Sequence, residues 1–163
     1  MSSFVLNPPK YKSAIKFIIH ELKKVQGKKK MYKLMYFLDF DFYEAYNESF
    51  TGESYRKLAM GPAPVYFDDI LKELEDDIDI KHVKISPMHE NDTCIYSLKK
   101  DFEFDFSEKE AKMLKRIVTK YGSLNGKQLE DLSHAEAPWN AVSMFDLIPY
   151  DYALYRDTQD LNS

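Results

Sequence analysis

The chain has one cysteine, Cys94, and only five glycines among 163 residues. A lone cysteine excludes an internal disulfide and fits a reducing compartment. Scarce glycine argues against a loop-rich, phosphate-cradling design. No apolar stretch approaches the ~20 residues of a membrane span. Met1 to Lys16 holds two prolines and three lysines rather than an apolar leader segment. The expected location is therefore the cytoplasm, with no membrane contact. The formal charge is −4, which favours solubility and gives no general attraction to nucleic acid.

The signatures of common chemistries are absent too. His20, His82, His89 and His134 include no i, i+4 pair, and no Cys-x-x-Cys occurs, so metal-site spacing is missing. There is no Walker loop, no Gly-x-Ser-x-Gly elbow and no dinucleotide fingerprint. His89-Glu90-Asn91-Asp92 reads as a polar loop, and Cys94 as a small hydrophobe in a strand. No cofactor and no catalytic residue is expected. A hydrolase or transferase centred on Asp39, His134 or Cys94 is the reading that a convergent polar pocket would have to support.

Aromatic residues, by contrast, are abundant at 15%, with 12 Tyr and 11 Phe. Tyrosine brings a hydroxyl that needs a partner, which suits half-buried and interface positions. Ile15, Ile18, Ile19 and Leu22 recur at helical spacing and predict a helix over Tyr11 to Lys24. Lys30 to Tyr46 predicts a second helix, apolar nearly all round and hence central. Asp39 and Asp41 lie within it, and positions two apart on a helix do not face each other. One is expected to face solvent, and the other to bond a buried backbone group or tyrosine hydroxyl.

Asn47 to Pro64 reads as a connector, with Pro64 opening a helix that runs to about Glu75. Ile80 to Ser86 and Thr93 to Lys99 alternate and predict a hairpin around Pro87 to Asp92, with Tyr55 to Met60 as a third short strand. Ser107 and Glu110 form a capping box for a helix that ends at Gly122. Short helices near Gly126 to Ser133 and Trp139 to Phe145 follow, then a docked tail that frays after Arg156. The fold class is mainly α with a small antiparallel hairpin or three-stranded element (α+β). The whole chain, 1–163, reads as one compact helical domain with its core at about 11–152.

Lys23, Lys24, Lys28, Lys29 and Lys30 are the candidates for a nucleic-acid or acidic-partner contact, against a solvated loop. The helices on either side of Gly122 suggest a helix-turn-helix, but Lys127 stands there against Glu130 and Asp131. A DNA-binding regulator is the alternative reading.

The run Lys33-Leu34-Met35-Tyr36-Phe37-Leu38-Asp39-Phe40, then Thr51-Gly52, Gly61-Pro62-Ala63-Pro64, Leu132-Ser133-His134 and Trp139 resembles the Panacea domain. This family is also described as SocA-like or phage-associated. The resemblance spans roughly Ser13 to Tyr152, with Ala63 where a larger apolar residue is expected. It implies a bacterial antitoxin that binds and neutralises a cognate toxin, in one branch by delivering it to a protease or chaperone. It also implies a functional surface around Tyr36, Asp39, Thr51, Tyr55, Pro62, His134 and Trp139. For Gly61 to Pro64 a rigid turn, for His134 a capping role and for Trp139 internal packing are the competing roles.

Overall fold

The second helix organises the molecule. In the computed structural model, which describes residues 4–84 and 93–156, α1 spans Pro8–Leu22 and α2 spans Lys28–Tyr46. Met31, Leu34, Met35, Phe37, Leu38, Phe40 and Phe42 are all buried on α2. A helix apolar on every side has no face to give to water, so other elements cover it all round. Neither of its acids faces solvent, as one was expected to: Asp39 and Asp41 are both fully buried.

α1 starts earlier than its apolar stripe suggests. Asn7 caps it by accepting from the Lys10 amide, and two prolines fill the first turn, where a missing N–H costs nothing. Ile15, Ile18 and Ile19 are buried as expected. Each such side chain contributes about 1.5–3 kcal/mol by leaving water. Helix α4, Glu108–Tyr121, carries the capping box at Ser107 and buries Met113, Leu114, Ile117 and Tyr121. Aromatic contacts lock α4 and the C-terminal segment onto α2. The Tyr121 ring stacks on Phe37 at 4.3 Å, and Tyr150 on Phe40 at 4.6 Å.

Two small sheets complete the architecture. The first has the order β1-β5-β4, from β1 (Val25–Gln26), β4 (Ile78–Val83) and β5 (Thr93–Leu98), all antiparallel. The expected hairpin is present, but its loop, Pro87 to Asp92, and the strand end at Ile85 and Ser86 lie outside the described residues. Its third strand is β1 and not Tyr55 to Met60. That segment instead forms β2 (Tyr55–Leu58), paired with β3 (Gly61–Pro64) in a separate sheet.

Pro64 therefore ends a strand rather than opening a helix, and α3 is short, Phe67–Lys72. The acidic residues after it fall where the chain turns into β4. Beyond α5 (Gly126–His134), the expected Trp139 helix shrinks to α6, Ala137–Asn140. The chain then runs beside β2, where Leu147 bridges Arg56, and closes in a 3-10 turn at Tyr150–Tyr155.

Candidate functional site

The sequence motifs converge on the β2–β3 hairpin, which is held between α2, α5 and α6. Lys33 is 2% exposed, and its ammonium donates to the Pro62 carbonyl at 3.2 Å. Burial pushes its pKa down to about 8; Glu130 opposes this and Lys29 adds to it. Gly61 sits at φ +110, where a Cβ would fall 2.5 Å from Lys33 Cε and 2.9 Å from Ser133 Oγ. Only glycine admits both the left-handed turn and that close approach. The Gly-Pro-Ala-Pro stretch is thus a rigid strand clamped from inside by Lys33.

Asp39 anchors the loop that leads into the hairpin. It accepts the Thr51 amide at 2.7 Å, the Thr51 hydroxyl at 2.6 Å, the Ser49 hydroxyl at 3.1 Å and the Tyr55 hydroxyl at 2.5 Å. Burial raises its pKa, and these four bonds pull against the rise. Gly52, at φ +77, lies against residues 5 and 6, where a Cβ would meet the Val5 carbonyl oxygen at 2.0 Å.

Glu53 is a second buried carboxylate in this network, and nothing in the local sequence marks it. It accepts the Tyr11 hydroxyl at 2.7 Å, the Ser54 amide at 2.8 Å and the Tyr66 amide at 3.0 Å. Burial pushes its pKa up to about 7; Tyr11, Ser54 and Tyr66 oppose the rise and the Asp39 charge adds to it. Its ordinary value is 4.5, so the folded chain holds a proton there that the unfolded chain has released. Stability should fall as pH rises from about 4.5 to about 7 and level off above, by about 1–3 kcal/mol. Glu53→Gln keeps a carbonyl for the Ser54 and Tyr66 amides, and should flatten that slope in urea melts at pH 5 and pH 8. An unchanged slope would assign the titration to another group.

Asp41 points to the other side of α2. Arg156, whose side chain is fully buried, pairs with it at 2.5 Å, with Glu44 at 3.1 Å and with Glu136 at 3.3 Å. Burial disfavours the guanidinium charge, but Asp41 and Glu136 hold its pKa well above the ordinary arginine value. Tyr36 joins by donating to Glu136 at 3.0 Å. The tail is docked, and a salt-bridge cluster docks it.

His134 stacks on Trp139 at 4.1 Å, and the indole N–H donates to the Leu58 carbonyl at 3.0 Å. The Lys57 ammonium lies 4.0 Å from the indole centroid and donates to the Val142 carbonyl. This layer fixes the outer end of the hairpin. Of the residues the motifs singled out, Tyr36, Asp39, Thr51, Tyr55 and Pro62 are buried, while His134 and Trp139 are half-buried. The first five therefore shape a surface from beneath and do not form it.

The hairpin and the segment beside it expose an apolar ridge. Leu58 and Met60 project from the hairpin, with Met144, Phe145 and Leu147 on the strand-like segment beside it. Phe145 is 64% exposed and sits at φ +73, a left-handed conformation that costs a bulky side chain about 1–3 kcal/mol. Its N–H donates to the Lys57 carbonyl at 2.8 Å, and Arg56 donates to its carbonyl at 2.6 Å. Sequence patterning offers no sign of this ridge, because the helix expected over Trp139 to Phe145 would have placed these side chains elsewhere.

The lysine group does not gather on a common face. Lys28 pairs with Asp68, Lys29 with Glu130, and Lys30 donates to the Gly122 carbonyl. Lys23 caps α1 at φ 72, and Lys24 is exposed beside it. Three of the five are thus engaged in joining α2 to α3, α4 and α5. Among the described residues there is no group of three or more His, Cys, Asp or Glu arranged to hold a metal ion. No described helix is long and apolar enough to cross a membrane.

No curated protein and no solved structure matches the chain significantly. The family model for the SocA-like antitoxin, Panacea domain, matches residues 31–140, a span that runs from within α2 through α6 and contains the hairpin, while the segment 142–148 that pairs with β2 lies beyond it. With more than half of its length covered by that match, the chain belongs to the SocA-like antitoxin family and carries its Panacea domain.

Proposed function

We propose that this chain is an antitoxin that neutralises a protein toxin by direct binding, with the ridge at Leu58, Met60, Met144, Phe145 and Leu147 as the docking surface. Family membership points to a non-catalytic role and a protein partner. The single observation that carries the location is Phe145, an aromatic held in a strained conformation with its side chain in solvent. Strain kept at an exposed aromatic has no packing return within the chain, and aromatics are the commonest interface anchors. Exposed apolar residues gathered from two adjoining strands mark the same surface.

Phe145→Gly separates binding from folding. Glycine adopts φ +73 without strain, so the variant should melt at or above the wild-type temperature. It should nonetheless fail to rescue cells expressing the toxin encoded beside it, and fail to co-purify with that toxin. Full rescue by Phe145→Gly together with Leu147→Asp would move the contact elsewhere. A wild-type chain that rescues no neighbouring toxin would end the antitoxin reading. The toxin level in rescued cells distinguishes mechanisms: unchanged for neutralisation by binding, depleted for delivery to a protease.

A further inference from the structure

A second surface lies on α4 and shares no residue with the ridge. Lys112, Lys115, Arg116, Thr119 and Lys120 line a cavity of about 400 Å³ whose floor includes Met113 and Tyr46. Lys112, Lys115, Thr119 and Lys120 are exposed. The cations recur at three- and four-residue spacing, so they share one side of the helix. They span two turns, about 12 Å along the axis. In a chain of net charge −4 this is a local reversal of sign, built around an apolar floor.

We infer that this groove binds a short acidic segment of a protein partner, with one apolar side chain on Tyr46 and carboxylates beside the lysines. Charge complementarity sets the sign of the occupant. The end of the groove beyond Lys112 limits its length. Beyond Lys112 the helix presents Glu108, and Lys109 is already paired with Glu48 at 3.2 Å. A nucleic-acid strand carries a charge at every phosphate and would run onto those carboxylates. A peptide can confine its carboxylates to the two basic turns. The floor adds selectivity, because a purely polar anion leaves the half-buried Tyr46 ring uncovered.

The test is fluorescence anisotropy at low salt with a dye-labelled Glu-Leu-Glu-Glu-Leu-Glu peptide, its Lys-for-Glu counterpart and a single-stranded oligothymidine. The acidic peptide should bind, weaken as salt rises, and lose about tenfold in affinity in Lys115→Glu with Lys120→Glu. Its binding to the wild-type chain should shift the amide resonances of Tyr46 and Thr119, which locates the groove even if the double variant folds poorly. No binding, binding unchanged by the charge reversals in a folded variant, or shifts confined to other residues would overturn the inference. Tighter binding of oligothymidine than of peptide would overturn it in favour of a nucleic-acid site. No toxin is used, so the outcome does not depend on the ridge.

Discussion

Arg156→Met should destabilise the chain by about 3–5 kcal/mol, the cost of stranding a buried charge whose partner is gone. Asp41 is fully buried, and without Arg156 it keeps the Tyr121 hydroxyl at 3.4 Å and Arg116 Nε at 3.9 Å. Neither replaces a guanidinium at 2.5 Å. Glu44 and Glu136 lose the same cation, so three carboxylates are left facing one another. The effect should spread along the tail, because the preceding 3-10 turn supplies Tyr150, whose hydroxyl donates to the Glu53 carbonyl at 2.7 Å. Urea unfolding measures the loss, and adding Asp41→Asn should recover part of it by removing one stranded charge. A loss below about 1 kcal/mol would mean that the tail is not held by this cluster.

Asp39→Ala should be of similar size, about 3–5 kcal/mol, for the opposite reason: it strands donors instead of a charge. The Thr51 amide and the Tyr55 hydroxyl are buried and have Asp39 as acceptor. Each orphaned buried donor costs about 1–3 kcal/mol. The cavity left by the side chain adds to that. Asp39→Asn keeps the shape and one acceptor oxygen and should cost clearly less, since the hydroxyls of Thr51 and Tyr55 can rotate to accept from the new amide. Hydrogen exchange at the Thr51 amide reports this locally. It should accelerate strongly in the alanine variant and modestly in the asparagine variant. Equal stability of the two variants would show that packing, not hydrogen bonding, is what Asp39 supplies. Because total stabilities of domains this size run to about 5–15 kcal/mol, any rescue lost by the alanine or methionine variant should track its loss of folded protein. Phe145→Gly should lose rescue while folded.

Several features were legible in the chain because their causes are local. The all-round apolarity of α2 follows from its own residues, and so do the Ser107 capping box and the alternation of β4 and β5. The motifs that resemble the Panacea domain include Asp39, Thr51, Pro62, His134 and Trp139, which the fold gathers around the β2–β3 hairpin. They did not reveal whether those residues face outward or inward. Of the two acids in α2 only one was expected to bond a buried group and the other to face solvent; their spacing could not say that each has a separate buried cluster.

Composition and periodicity by themselves determined a helical protein with a small β component, no disulfide and a central buried helix, since those depend on neighbours within a turn or two of chain. Tertiary structure decided the rest. It gave Asp41 a cation 115 positions away, Tyr36 a carboxylate 100 positions away and Lys33 a carbonyl 29 positions away. It paired β2 with β3 and not with the larger sheet, and it turned Phe145 outward. A buried charge states only that it must have a partner; which one it finds is settled where distant segments pack together, and no local pattern records that.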